Sequence, residues 1–579
     1  MINTAIQQTT HSLPTVLHQI SRLPRQIKDG AIRYDGLFDI FPESYWSRFT
    51  LLHSVTLRCH LSGPARLRLI RRQVDGSDAE TLLCDVVCND VEAVLSTPLA
   101  AVGADESYLL LEVVPEDAYP EPLLSAIWET SQPAVRTPCV GLTITTFNRE
   151  PFLVANLTRL HGRMAGGRAI VVNHGPPGLE ARLKDQLPEN PAIRWIDQEN
   201  SGGAGGFTRG MMEHRTAGDI THVLLMDDDI DLPEDIIERT TAILSYSHPE
   251  VCLGGAMFDY HHRNRLFSAG DMLLPGGFAI GHVAPPEGCD ISTPEGVDFL
   301  ARVHRPDFNG WWCFAFPLQA LDWVGLPMPC FIRGDDVEFG YRLKRAGMPT
   351  LGWPGLAVWH MPFADKSAPW HMFYDRRNSL FANARHRRVG RLAAISKLVG
   401  GFAHHLLRYD YDRVQAMTLG IAAFNMGASK MANWSHRDHA MMIATTSTMQ
   451  IQDIDTAETL LSTAQLLKPQ HTSGLLRSLR MVGRMILDLT GLPTGKPTAY
   501  RLAPGTIWRP DFTRRPALVI ESDTQGRTAR IYRRNPAESR RATLRCIKAL
   551  FGMVLHFHQH VPQGFPSPRQ STSSMNSGD

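Results

Sequence analysis

The run His222-Val-Leu-Leu-Met-Asp-Asp-Asp-Ile-Asp231 takes an apolar stretch abruptly into three successive carboxylates. Adjacent like charges repel and raise one another's pKa unless a cation offsets them, and carboxylate oxygens are hard donors suited to Mg2+ or Mn2+. On a strand, side chains alternate, so Asp227 and Asp229 would face one way and Asp228 the other. A solvated turn, or an N-cap before the helix predicted at Pro233-Glu-Asp-Ile-Ile-Glu238, would use the same residues without a metal. A second acidic pair stands in Phe331-Ile-Arg-Gly-Asp-Asp-Val-Glu-Phe-Gly-Tyr-Arg-Leu343, at the start of a predicted helix. The helix macrodipole alone would favour acids there. Two consecutive aspartates downstream of a metal motif favour a catalytic role, since a positioned carboxylate can take the proton from an attacking hydroxyl. Leu356-Ala-Val-Trp-His360 closes a short strand on a histidine, which reads as a further metal ligand or as a structural strand-end residue.

Three further segments carry recognition chemistry. Asn200-Ser-Gly-Gly-Ala-Gly-Gly-Phe-Thr-Arg-Gly210 is a glycine-rich loop before a helix predicted over residues 207–215; glycines permit close backbone approach and a helix start favours a diphosphate. No Gly-Lys-Ser/Thr follows, so this is not a Walker loop. Thr145-Thr-Phe-Asn-Arg149 offers an arginine to a phosphate or uracil, and a surface arginine would look the same. In Phe308-Asn-Gly-Trp-Trp-Cys313 the adjacent Trp311 and Trp312 are either core residues or a pair of which one stacks on a sugar.

These residues need a scaffold. Val140–Thr146, Ala169–Asn173 and His222–Met226 are continuous apolar runs, as in strands buried on both faces of a parallel α/β sheet, whose carboxyl ends carry function. Residues 49–114 instead alternate apolar and polar between turns such as Gly63-Pro64, predicting an antiparallel β-sandwich or jelly roll. Residues 131–138 read as a linker, and beyond Arg385 the spacing turns helical. The expected division is an N-terminal β-sandwich with its leader over 1–134, a catalytic domain over 135–390, a mainly helical Arg-rich domain over 391–562 and a disordered tail over 563–579. Arg477–Lys548 carries only five acids, a solvated basic face or a contact for anionic lipid headgroups.

At 579 residues the chain exceeds what one core serves, and 43% hydrophobic with 20% charged residues and a net charge of +1 describe a folded protein, with no call for nucleic acid as a partner. Nine scattered cysteines without C-x-x-C pairs read as reduced, buried thiols. Without an h-region near the start or an apolar run of about 18 residues, the expected location is cytoplasmic, with any membrane contact peripheral at the inner face of the plasma membrane.

In this order, Phe147-Asn-Arg149, the glycine-rich loop, Asp227-Asp-Asp229, Asn309-Gly-Trp-Trp312, Asp335-Asp336 and Trp359-His360 resemble a family 2 glycosyltransferase of GT-A fold, more closely the galactofuranosyltransferases that polymerise mycobacterial and corynebacterial galactan. The resemblance implies Mn2+ or Mg2+ on Asp227, Asp229 and His360, and Asp336 as general base in an inverting displacement. It assigns a UDP-sugar, expected to be UDP-galactofuranose, to Arg149 and Asn200, with Asp228, Arg333 and Asp335 around it. The acceptor, a glycan or glycolipid, falls to Trp311, Trp312 and Asp375. One departure is visible: Tyr374-Asp-Arg-Arg-Asn378 has Asp375 where the resemblance leads one to expect histidine, which bears on acceptor choice and linkage. Competing readings are a transferase for another sugar, such as rhamnose, and a carbohydrate-binding scaffold without catalysis. A homo-oligomer is left open.

Overall fold

The computed structural model describes residues 15–20, 26–28, 30–77, 79–164, 166–285, 288–361, 368–448, 451–467, 475–492, 498–502, 515–523 and 526–557. The tail over 563–579 lies outside them. The strand-rich N-terminal region forms two sheets. One orders Thr15–Gln19, Leu123–Thr130, Ser54–Leu61 and Glu92–Pro98; the other orders Gln26–Lys28, Ala31–Tyr34, Ser107–Pro115, Ala65–Gln73 and Glu80–Cys88. Alternation explains them: in Ser54–Leu61 every second residue is buried, and Val55, Leu57, Cys59 and Leu61 face the core.

The catalytic sheet contains β1 (Val140–Thr146), β2 (Arg168–Asn173), β3 (Ile193–Asp197), β4 (His222–Asp227), β5 (Cys252–Asp259), β6 (Phe314–Pro317) and β7 (Thr350–His360). Its order begins β3-β2-β1-β4-β6-β5. The first four strands are parallel and β6 is antiparallel to both neighbours. Leu142, Ile144, Val223 and Leu225 are buried, as expected of strands covered on both faces. Helix α1 (Gly202–Ala217) covers β1. Helix α2 (Asp335–Arg345) leads towards β7, and α3 (His371–His386) follows it. The later helices include α4 (Arg391–Leu407), α5 (Tyr411–Asn425), α6 (His436–Thr446), α7 (Leu475–Thr490) and α8 (Pro536–His556).

The C-terminal region is mainly helical, as expected, and also holds a mixed sheet of Gln452–Asp453, Thr528–Arg533, Leu518–Ser522, Thr498–Leu502 and Gln465–Leu466, whose short strands escape notice among arginines. The linker over 131–138 does not separate two cores. One buried cluster runs from Leu57 and Trp128 through Trp46, Tyr246 and Trp353 to Leu142 and Val358, with Trp46 edge-on to Trp353 at 5.4 Å. Rings of this size bury roughly 150–250 Å2 each, so the sandwich is fastened to the catalytic sheet by packing. The nine cysteines are free; Cys84 and Cys139 are only half-buried, against the expectation of buried thiols throughout.

Candidate functional site

The site stands where the parallel strands end. Asp227 is the last residue of β4, in register with Thr145 of β1. The chain then turns through Asp228 and Asp229 into the short strand Ile230–Asp231, which pairs antiparallel with the end of β7 so that Ile230 faces His360 and Asp231 faces Trp359. This pairing brings a histidine distant in sequence onto the aspartates. His360 Nε2 lies 3.2 Å from Asp229 Oδ1 and 3.9 Å from Asp227 Oδ2. Buried Asn156 holds the turn by donating to the Ile230 carbonyl at 2.8 Å. Asp231 is drawn out of the cluster by Arg159 and Arg263.

The donor set fits a divalent cation. One oxygen each from Asp227 and Asp229 and a ring nitrogen of His360 lie within 4.8 Å of one another. The His360 Nδ1 faces the Met361 carbonyl at 2.7 Å, an arrangement that places the proton on Nδ1 and leaves the Nε2 lone pair towards the carboxylates. Asp228 turns the other way, as alternation predicts, and accepts from the Phe147 amide at 3.3 Å. Burial, with Asp229 and Asp227 alongside, pushes its carboxyl up to about 7. Arg149 is half exposed, with Nε 3.9 Å from Asp229 Oδ2.

The second acidic pair opens α2. Phe331, Arg333 and Gly334 all have left-handed backbones, with φ of 67°, 65° and 87°. Two non-glycine residues in that region represent strain that the surroundings must hold. The holding comes from α3: Asn378 Nδ2 donates to the carbonyls of Ile332 and Arg333 at 2.9 and 2.7 Å, and Arg377 Nη2 to that of Cys330 at 2.6 Å. The loop delivers Asp335 and Asp336 to the helix start. Burial raises both carboxyls well above the ordinary range, and the negative field of Asp227 adds to each. Asp336 Oδ1 accepts from the Val337 amide at 2.8 Å. The two acidic motifs, separate in sequence, therefore act on one another across one site.

The glycine-rich segment behaves differently from the expectation. Helix α1 begins at Gly202, five residues before the predicted start. Gly202, Gly206 and Gly210 serve packing. A Cβ on Gly206 would lie 2.0 Å from Thr145 Oγ1, one on Gly210 2.2 Å from Thr143, and one on Gly202 2.1 Å from the Phe331 carbonyl. That carbonyl also accepts from the Ala204 amide at 3.0 Å, linking the loop to the strained turn before Asp335. Asn200 stands at the head of this segment, with Oδ1 accepting from the Gly202 amide at 2.8 Å.

Both tryptophans lie in the core. Trp311 is 5% exposed and packs edge-on against Phe207 at 5.3 Å; Trp312 is 6% exposed and donates from Nε1 to the Gly255 carbonyl at 2.9 Å. Neither presents an open ring face for a sugar, because both sides of this segment are covered. Asp375 lies on α3 at the rim and accepts from Arg333 Nε at 2.6 Å, so it joins the turn before the acidic pair. Sequence reasoning missed Asp271, which is buried, contributes to the raised carboxyl of Asp336 and meets His282 Nδ1 at 2.8 Å. It sits in the small hairpin of Asp271–Leu273 and Ile280–His282, which no local pattern marks. Also unforeseen is α6, whose His436 and His439 rings stand 5.9 Å from Phe147 and 4.9 Å from Phe331.

A parallel sheet with carboxylates at a strand end, and a second acidic pair that shares their field, is the arrangement that the resemblance to a GT-A glycosyltransferase leads one to expect. Residues 138–379 match the model described as glycosyltransferase like family 2, and residues 9–111 match galactofuranosyltransferase 2 N-terminal. These matches support a galactofuranosyltransferase-like family 2 glycosyltransferase. It is 29% identical over 390 residues to galactofuranosyltransferase GlfT2 of Mycobacterium tuberculosis, covering 64% of this chain and 61% of that one. It is 28% identical over 431 residues to GlfT2 of Mycolicibacterium smegmatis, covering 70% and 65%. The chain thus spans less than two thirds of the length of either relative. Among solved structures, a mannosyltransferase from Pyrobaculum calidifontis in complex with GDP-Man and Mn2+ aligns at TM-score 0.31 and 15% identity, over 54% of this chain and 80% of that one.

Proposed function

We propose that this chain transfers galactofuranose from UDP-galactofuranose to a hydroxyl of a glycan carried on a lipid, with inversion at the anomeric carbon. The observation carrying this reading is the pairing of two unlike carboxylate centres: Asp227, Asp229 and His360 as oxygen and nitrogen donors, and the pair of buried Asp335 and half-buried Asp336, whose carboxyls feel the charge of Asp227. A divalent cation, Mn2+ or Mg2+, held by the first would offset the charge that develops on a leaving diphosphate. Asp336 takes the acceptor proton: a carboxylate whose pKa is raised by burial is a stronger base than an exposed one. Arg149 and Asn200 lie at the strand end and glycine-rich segment where the nucleotide is expected, and Arg333 with Asp375 forms the acceptor rim. The similarity to galactofuranosyltransferases favours this donor over another nucleotide sugar.

Among the described residues no helix is long and apolar enough to cross a membrane, so the acceptor's lipid is met at the membrane surface in this reading. The test is incubation of the full chain with UDP-galactofuranose, a galactofuranosyl glycolipid and Mn2+, with product linkage read by mass spectrometry and NMR. Release of UDP and elongation of the acceptor, both abolished by a chelator, are expected. Turnover of UDP-rhamnose or UDP-glucose in preference would overturn the donor assignment, and absence of metal-dependent UDP release would overturn the transferase.

A further inference from the structure

We infer that His439 of α6 is a specificity-determining residue of the acceptor site, donating from Nε2 to a hydroxyl of the acceptor glycan. The inference deepens the proposed function and rests on that reading.

Helix α6 lies in the C-terminal region, yet its first turn borders the catalytic site on two sides. His436 stands 5.9 Å from Phe147, whose amide binds Asp228 beyond the end of β4. His439, three residues on and 6.4 Å from His436, stands 4.9 Å from Phe331 in the strained turn before Asp335. Residues three apart share a helix face, so one face of α6 reaches from the strand ends to the turn that delivers the acidic pair. Several contacts hold the helix there. Ser435 and Asp438 form a capping box, Lys430 Nζ donates to Asp438 at 2.9 Å, and Trp434 stacks on Phe373 of α3 at 4.8 Å. Met442, one turn beyond His439, is buried with Phe331, Phe373 and Ala416 of α5.

The hydroxyl oxygen of Tyr374 accepts from Trp434 Nε1 at 3.0 Å and lies 2.8 Å from His439 Nδ1. An indole nitrogen can only donate, so the phenol directs its own proton to Nδ1. Burial, with the charge of His436 adding to it, holds the His439 imidazole down at about 4, and burial pushes the Tyr374 phenol well up. Both groups are therefore neutral near pH 7, and the one proton of the imidazole sits on Nε2. The ring is half-buried, and among the described residues none accepts from Nε2. A fixed donor in a partly desolvated place is costly to leave unmatched, which suits it to recognise a ligand oxygen.

The surroundings select a sugar hydroxyl. Trp370, itself half-buried, stands edge-on to the imidazole at 5.2 Å. His371 lies within electrostatic reach of Arg333, Asp375 and His439 alike, so these groups share one rim. Carbohydrate sites set apolar ring surface beside a few fixed polar groups in this way. A diphosphate calls for positive charge, and this imidazole carries none. In the proposed function that end of the donor falls to the cation centre and Arg149. An acceptor glycan lying over the acidic pair meets His439 Nε2 instead.

The test compares the full chain with its His439→Phe and His439→Gln variants in transfer from UDP-galactofuranose to a galactofuranosyl glycolipid and to its monodeoxy analogues, each lacking one hydroxyl. His439→Phe keeps an aromatic ring in the cluster and removes the donor, whereas His439→Gln keeps a side-chain N–H near the position of Nε2. An equal melting temperature verifies that both fold. His439→Phe should raise the acceptor KM by about 3- to 10-fold, the worth of one hydrogen bond, with the KM for the nucleotide sugar unaltered. His439→Gln should bring the acceptor KM back to within about twofold of wild type. One monodeoxy analogue should raise the wild-type KM by a similar factor and that of His439→Phe no further, because the bond is already gone. A purely structural role would not single out one hydroxyl. An unchanged acceptor KM in His439→Phe, penalties that add for every analogue, or a raised donor KM would overturn the inference. Absence of any transfer by wild type would overturn the proposed function itself, whereas normal wild-type transfer beside an unchanged His439→Phe would overturn the role of His439 alone.

Discussion

The two acidic centres use the same residue type under opposite conditions. At the strand end, Asp227 and Asp229 face a histidine nitrogen at 3.9 and 3.2 Å, and Arg149 approaches from solvent. At the helix start, Asp335 is buried and Asp336 half-buried, and loss of hydration drives their carboxyls up. The first arrangement gathers donor atoms around a point, and the second gives up its protons only at higher pH than an exposed pair would. What separates a cation site from a proton acceptor here is the company the carboxylates keep, not their number.

The sharpest way to break this contrast is Asp336→Asn. It should reduce transfer by about 10^2 to 10^4, the range supplied by a positioned general base, while nucleotide-sugar affinity measured by calorimetry changes little. Its folded-state pKa is raised, so this carboxyl contributes stability only below its unfolded pKa and loses that contribution as pH rises through the folded value. At neutral pH the ionised group is therefore a burden, and the variant should melt no lower than wild type. A collapse in nucleotide affinity would place Asp336 in the donor site. Asp229→Ala and His360→Ala should act the other way, weakening Mn2+-dependent nucleotide binding by roughly 10- to 100-fold or more. If binding remains and only turnover falls, the strand-end cluster is not the cation site.

The pH profile sharpens the same division. A base raised by burial is unprotonated only above the ordinary aspartate range, so the acid limb of kcat should lie well above about pH 4. Asp271→Asn removes one source of that elevation and should move the limb to lower pH by a fraction of a unit to about one unit. An unmoved limb would mean that another group titrates.

Much of this was legible because the informative patterns were local. Val140–Thr146 and His222–Met226 read as doubly covered strands, and the structure places them side by side with their ends in register. The aspartates and His360 could be proposed as ligands, but their meeting depends on Ile230 pairing with His360, a contact across the chain that no spacing encodes. The glycines illustrate the reverse. Their types suggest phosphate approach, and they do not reveal that Thr145, Thr143 and the Phe331 carbonyl occupy the space a Cβ on Gly206, Gly210 or Gly202 would need. Trp311 and Trp312 were ambiguous because adjacent side chains on an extended chain face opposite ways, and here both directions are filled. Asp271 and α6 gave no signal because they reach the site only through tertiary packing.

The smallest expected effect concerns Asp375, where the chain departs from the histidine that its resemblance leads one to expect. Asp375 binds Arg333 at 2.6 Å on a partly exposed rim, with side chains 25% and 41% accessible. Ion pairs so placed are worth about 0–1 kcal/mol, so Asp375→Asn should change stability little. Arg333, however, holds a left-handed backbone one residue before the turn into Asp335. If the pair merely shapes the acceptor rim, Asp375→Asn should raise the acceptor KM by no more than about fivefold and leave kcat and donor KM unaltered. A fall in kcat of the size expected for Asp336→Asn would mean that the ion pair positions the base, and the contrast between the two acidic centres would then extend to a third carboxylate. Asp375→His provides the complementary reading. It removes the pair yet restores a group able to donate to a sugar hydroxyl, and a changed product linkage at preserved kcat would assign this position to acceptor choice.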